Sequence, residues 1–169
     1  MRHITARHDL ENDAREAIRK SYGIGNIVKL LRDKNIKEHW GIVKATVGLI
    51  KNLSVASNIV PHLCEQNAVR RLSELLMVVE RERTKSFDET NQYVPQLDTM
   101  IELIIGALSN LSKDPSSRSI MKEMNCIPIF IRYSQLPTCA LQQGSTGLLK
   151  DLNIDSHSSY SMIDHRNHR

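Results

Sequence analysis

Aromatic residues are scarce in this chain: two Phe, four Tyr and one Trp among 169 residues. A core built from it must be mostly aliphatic, and there are few rings on which unpaired bases could stack. No run of about 18 apolar residues occurs, and the opening MRHITARHDL lacks the uninterrupted apolar stretch of a signal peptide, so a soluble, intracellular chain without membrane insertion is expected. Cysteine is limited to Cys64, Cys126 and Cys139, an odd number with no CxxC spacing, which reads as free, largely buried thiols rather than disulfides or a zinc site. The glycines Gly23 and Gly25 in YGIGNIV follow no strand and lack a third partner, which removes a dinucleotide loop.

Charge is present but uneven. Residues 1 to 71 carry 13 Lys or Arg against 7 Asp or Glu, whereas residues 72 to 169 carry 10 against 12. The net +4 therefore belongs to the N-terminal half, which would attract acidic peptide, phosphopeptide or nucleic acid.

One phrase recurs along the chain: GLIKNLSV at 48 to 55, GALSNLSK at 106 to 113 and GLLKDLNI at 147 to 154, with MRHITARH at 1 to 8 as a weaker copy. Leu53, Leu111 and Leu152 mark its register at separations of 58 and 41 residues, and Ile4 precedes Leu53 by 49. The longer separations call for insertions, supplied by RDKNIKEH at 32 to 39 and by the polar ERERTKSFDETNQYVPQ at 80 to 96, which reads as a surface loop closed by Pro95. A period near 41 with only helical patterning predicts stacked helical repeats of the armadillo or HEAT kind.

Within the best-formed unit, NIVPHLCEQ (58 to 66) predicts a short first helix, NAVRRLSELLMVVE (67 to 80) a second, and LDTMIELIIGALSNLS (97 to 112) a longer third. Three helices per unit favour armadillo. The predicted fold class is thus all-α, a right-handed superhelical solenoid. Its expected units are the end of one repeat and start of the next at 1–20, repeats at 21–56, 57–113 (with the loop 80–96) and 114–155, and a polar tail or incomplete repeat at 156–169.

The stretch HWGIVKATVGLIKNLS at 39 to 54 is nearly all apolar or small except for two lysines seven residues apart. As a third helix it would bury Ile42, Thr46, Leu49 and Leu53, present Gly41, Ala45, Gly48 and Asn52 as a small-residue strip, and line another stripe with Trp40, Lys44, Val47 and Lys51. Third helices line the concave face of such a solenoid, so Lys44 and Lys51 would form a charge ladder facing a groove. Asn52 and Asn110 recur at one position, where a side-chain amide can bond the backbone of an extended peptide.

These residues resemble a known family. HWGIVKATVGLIKNL, together with RHITARH at 2 to 8, YGIGNIVKLL at 22 to 31 and IPIF at 127 to 130, is similar to the late armadillo repeats of β-catenin and plakoglobin. The likeness covers residues 1 to about 155 and is strongest in 39 to 53. It implies a non-enzymatic scaffold for acidic, largely extended segments: cadherin cytoplasmic tails, T-cell-factor-type transcription factors, axin and the adenomatous polyposis coli protein. It also implies a place in cytoplasm, cell–cell junctions and nucleus. The groove positions it implies are Arg2, His3 and Arg7, then Trp40, Lys44, Lys51 and Asn52. Departures are Asp151 where Asn is usual, the content of 80 to 96, and a SHSSYSMIDHRNHR ending that does not complete the next repeat. Met1 falls inside a third helix of this frame, so the chain reads as a piece of a longer protein or a shortened relative.

Other functions are weaker. A nuclear-import-type receptor would need an acidic groove floor with Trp-Asn pairs in successive repeats, and a nucleic-acid binder would need stacking aromatics and a dense Arg stripe; neither direct DNA binding nor that import role is expected. No Ser, Cys or carboxylate stands beside a matching base in a way that survives the repeat frame, so neither catalysis nor a cofactor is expected. His157, His165, His168, Asp155 and Asp164 lie in a Ser-rich tail ill suited to holding a tetrahedral metal site.

Overall fold

Among aliphatic side chains with helical spacing and short polar corners, the chain has one economical solution, helices layered on helices, and the computed structural model adopts it. The structure describes residues 13, 23–32, 38–90, 95–137 and 140–154. The predicted groove residues Arg2, His3 and Arg7, Cys139, the polar tail at 156–169 and nearly all of 1–20 lie outside these. Among the described residues there are helices and turns and no strand.

In chain order the helices are α1 (Gly23–Lys29), extended by a 3-10 turn at Leu30–Arg32, α2 (Trp40–Leu53), α3 (Val60–Glu65), α4 (Ala68–Thr90), α5 (Pro95–Leu111), α6 (Pro115–Glu123), α7 (Ile127–Ser134) and α8 (Ala140–Asp151). Several starts have a local cause. Pro61, Pro95, Pro115 and Pro128 stand in first turns, where the missing N–H has no helical partner to lose. Asp114 caps α6 by accepting from the Ser117 N–H at 2.8 Å. The corners between α3 and α4 and between α6 and α7 turn on Asn67 (φ 62°) and Asn125 (φ 59°), left-handed conformations that asparagine tolerates better than most residues.

Helices α3, α4 and α5 form one three-helix unit and α6, α7 and α8 the next; α5 packs against α2 on one side and α8 on the other. The third helices α2, α5 and α8 therefore stand in a row. Leu53, Leu111 and Leu152 are all buried, at 2%, 0% and 0% exposure, as their shared register predicts. Burial of each side chain contributes roughly 1.5–3 kcal/mol. One continuous apolar cluster runs from Ile24 to Leu152, carried mainly by Leu, Ile and Val, with Phe130 and Tyr133 as its large rings.

Two expectations need correction. Residues 80 to 96 were expected to form a loop, but α4 continues to Thr90 and α5 starts at Pro95. No Gly or Pro interrupts ERERTKSFDET, whose Glu, Arg and Lys are good helix formers. The extension is also anchored. The Glu80 carboxylate, 6% exposed as a residue, accepts from the Arg132 guanidinium and the Tyr133 hydroxyl of α7, and Arg83 donates to Asp98 of α5 while lying over the Tyr133 ring. The second correction concerns α2, whose buried side is Val43, Thr46, Val47, Ile50 and Leu53; Ile42 and Leu49, expected inside, are 54% and 39% exposed. The buried arc is rotated toward the side that meets α5, a choice between two apolar flanks that helical period alone does not make.

Candidate functional site

At 100° per residue, burial of Val43, Thr46, Val47, Ile50 and Leu53 leaves Gly41, Lys44, Ala45, Gly48 and Asn52 along the opposite face of α2. This is the small-residue strip expected from the sequence, and it forms an open floor. A Cβ added at Gly41 or Gly48 would meet nothing within 4 Å. Lys44 stands exposed at the edge of that floor, and Asn52 is exposed at its C-terminal end.

Lys51 takes a different course from Lys44. Val47, between them on the expected stripe, is fully buried, and Lys51 is half-buried, its stem laid across α5 at Gly106. A Cβ on Gly106 would sit 2.8 Å from Lys51 Cε and 3.3 Å from Nζ. The absent side chain of Gly106 is what gives the Lys51 stem its seat. An apolar stem resting on helix backbone with its ammonium at the rim is a common way for lysine to be part-buried without losing hydration. The two cations thus flank the floor from different depths.

Asn110, expected to offer its amide to a ligand, has an internal task. Its Nδ2 donates to the Lys51 main-chain oxygen at 3.2 Å and to Ser54 Oγ at 3.0 Å, and Ser54 Oγ in turn donates to the Lys51 oxygen at 2.8 Å. Both amide protons are spent within the protein, because the last carbonyls of α2 have no helical donor and need one from outside. Only Oδ1 of Asn110 is left for a ligand. A related junction stands one repeat on, with Asp151 in place of Asn: the one proton of Ser112 Oγ has Asp151 Oδ2 at 2.6 Å and the Ser109 main-chain oxygen at 2.8 Å as acceptors. A carboxylate cannot donate, so the serine supplies the proton here. Asp151 is therefore a chemically compensated departure.

Trp40 is half-buried and packs against the core, as a first-turn anchor of α2. Aligning the helices on Asn52, Asn110 and Asp151 places Glu102 of α5 and Gln143 of α8 opposite Lys44, and Ser109 and Lys150 opposite Lys51; Glu102, Gln143 and Lys150 are exposed. Glu102 and Lys150 were missed in the sequence, although the recurrent phrase holds the signal: Glu102 precedes Asn110 by eight residues as Lys44 precedes Asn52.

Burial pushes the Cys64 and Cys126 thiols upward in pKa, which disfavours the thiolate, and Cys64 Sγ lies 3.0 Å from Ser117 Oγ. Among the described residues no group of three His, Cys, Asp or Glu could hold a metal ion, and no helix is long and apolar enough to cross a membrane.

Comparison with known proteins follows the same line. No family model matches the chain. Catenin beta of Tripneustes gratilla is 32% identical over 167 residues, which is 94% of this chain and 20% of that protein. Junction plakoglobin of Xenopus laevis is 32% identical over 163 residues, again 94% of this chain and 22% of the relative. The chain thus spans about a fifth of the length of the curated relatives it matches. Among solved structures, a designed armadillo repeat protein superposes with a TM-score of 0.62 at 18% identity, covering 84% of this chain and 52% of the other, a likeness of fold.

Proposed function

Because this chain is an armadillo-repeat homologue of the β-catenin and plakoglobin family, we propose that it is a non-enzymatic protein-binding scaffold whose groove takes acidic, extended partner segments. The observation that carries this reading is the α2 surface: an open floor of Gly41, Ala45 and Gly48, with exposed Lys44 and half-buried Lys51 beside it and the exposed Asn52 amide at its end. A floor with nothing larger than a methyl group lets a backbone approach closely, the cations attract carboxylates, and the amide can pair with a peptide unit.

An exposed lysine–carboxylate pair contributes only about 0.2–1 kcal/mol, so affinity must come from several such contacts and depend on salt. Extended, acidic segments meet that condition. By family likeness the partners are cadherin cytoplasmic tails, T-cell-factor-type transcription factors, axin and the adenomatous polyposis coli protein, which gives a role in cell adhesion and Wnt signalling and a place in cytoplasm, junctions and nucleus.

Fluorescence anisotropy with a labelled acidic peptide, a basic peptide and a single-stranded RNA of matched length tests the reading. Salt-sensitive binding of the acidic peptide in preference to both others is expected. Preference for the RNA would replace this reading with nucleic-acid binding, and preference for the basic peptide with an import-type role.

A further inference from the structure

The groove does not keep one sign of charge. On α2 the exposed position eight residues before Asn52 is Lys44; on the adjacent α5 the position eight residues before Asn110 is Glu102, also exposed; on α8 the equivalent Gln143 is neutral. Among the described residues, neither Lys44 nor Glu102 is held in an ion pair. The other α5 acid near this row, Asp98, is already matched by Arg83 at 2.5 Å. Glu102 is therefore a carboxylate of the α5 face that no ion pair among the described residues holds, set beside a helix that presents cations.

The Lys51 seat sharpens the contrast. Gly106, which carries the Lys51 stem, lies one turn beyond Glu102 on the same helix, where side chains four residues apart stand roughly 5–6 Å apart. A ligand carboxylate set between Lys44 and Lys51 is favoured, but a second one carried on over α5 would meet Glu102. Packed helices are separated by about 8–10 Å, and an extended chain rises about 3.3 Å per residue, so a peptide crosses from α2 to α5 in about three residues.

We infer that this groove selects a segment of mixed charge, with an acidic residue against Lys44 and Lys51 on α2 and a basic residue about three positions away against Glu102 on α5. The inference rests on the groove being the peptide site, and it deepens that reading by naming which acidic segments are accepted. Selection arises from repulsion as much as attraction: the protein's net +4 favours wholly acidic segments at long range, while Glu102 penalises them at contact.

Three labelled peptides on one uncharged extended backbone decide it: one with acidic residues throughout, and two in which a Lys stands three positions before or three positions after an acidic pair. Against the full chain, one of the two mixed peptides is expected to bind roughly threefold to tenfold tighter than the wholly acidic one. Glu102→Lys, on an exposed helix position and checked for folding by circular dichroism, should reverse that order, and Glu102→Gln should level it. If the wholly acidic peptide binds as tightly as both mixed ones, or the ranking survives Glu102→Lys, the mixed-charge inference is wrong while the groove stands. If none of the three binds, the groove reading itself fails, and the inference with it.

Discussion

The Asn110 side-chain amide donates to the main-chain oxygen of Lys51 across 3.2 Å, tying α5 to the C-terminal turn of α2. With Ser54 Oγ as its second acceptor, at 3.0 Å, it closes a small network at the seam between two repeats. Asn110→Ala is expected to cost roughly 1–3 kcal/mol in urea unfolding, since the Lys51 carbonyl and Ser54 hydroxyl lose a part-buried donor. Combined with Ser54→Ala the loss should be less than additive, by about 0.5 kcal/mol or more. Strict additivity would show that the two groups do not act as one junction.

Glycines at two adjacent third helices should respond oppositely to a methyl group. At Gly106 the obstacle is the flexible end of Lys51, which can swing away, and alanine raises helix propensity by up to about 1 kcal/mol. Gly106→Ala should thus leave stability unchanged or raised while weakening acidic-peptide binding. At Gly144 the added Cβ would lie 2.9 Å from Cγ2 of Ile105, itself 1% exposed, and overpacking there should cost about 1–3 kcal/mol. Thermal melts and peptide titrations of both variants separate the two effects; equal loss of stability would contradict the Lys51 seat.

The cluster of Glu80, Arg132 and Tyr133 predicts a pH dependence. Burial, followed by the hydrogen bond to and charge of Glu80, raises the Tyr133 phenol well above its ordinary pKa of 10.0. A raised pKa in the folded state means that stability is full below the ordinary value and is lost as pH climbs past it toward the folded one. Denaturant midpoints should therefore begin to fall above about pH 10, and Tyr133→Phe should remove this share of the decline. Removing the acceptor with Glu80→Ala should cost roughly 1–3 kcal/mol at neutral pH, because the buried phenol is left unpaired while the mostly exposed Arg132 can turn to water. A Tyr133→Phe profile identical to the wild type at high pH would refute the assignment.

Much of this was legible in the residues and some was not. The phrase ending in Leu53, Leu111 and Leu152 located the third helices because a buried leucine repeats wherever a repeat meets its neighbour. The Asn67 and Asn125 corners, also 58 residues apart, carried the same period and went unread, since a left-handed backbone has no hydrophobic signature. The polarity of 80 to 90 suggested a loop, although its Glu, Arg and Lys without Gly or Pro already favoured helix; the anchoring of Glu80 and Arg83 by Arg132, Tyr133 and Asp98 comes from partners distant in sequence. On the open face of α2, Lys44 and Asn52 are exposed, whereas the seat of Lys51 on Gly106 and the internal bonding of Asn110 depend on the adjoining helix.

The same long-range anchoring bears on proteolysis. Arg83 lies in the interior of α4, donates to Asp98 and covers the Tyr133 ring, so the bond after it should resist trypsin in early digestion of the native chain. Mass spectrometry of the first fragments checks this. A dominant early cut after Arg83 would show that the helical extension opens readily.

The central claim is that the cations beside the α2 floor serve an acidic ligand rather than the fold. Titration calorimetry of an acidic peptide at moderate salt, against the wild-type chain and Lys44→Glu with Lys51→Glu, tests it most directly. Charge reversal at two flanking positions should weaken binding by at least roughly tenfold, with a much smaller change in melting temperature, since Lys44 is exposed and Lys51 is only half-buried. Unchanged affinity in the reversed variant would contradict the account.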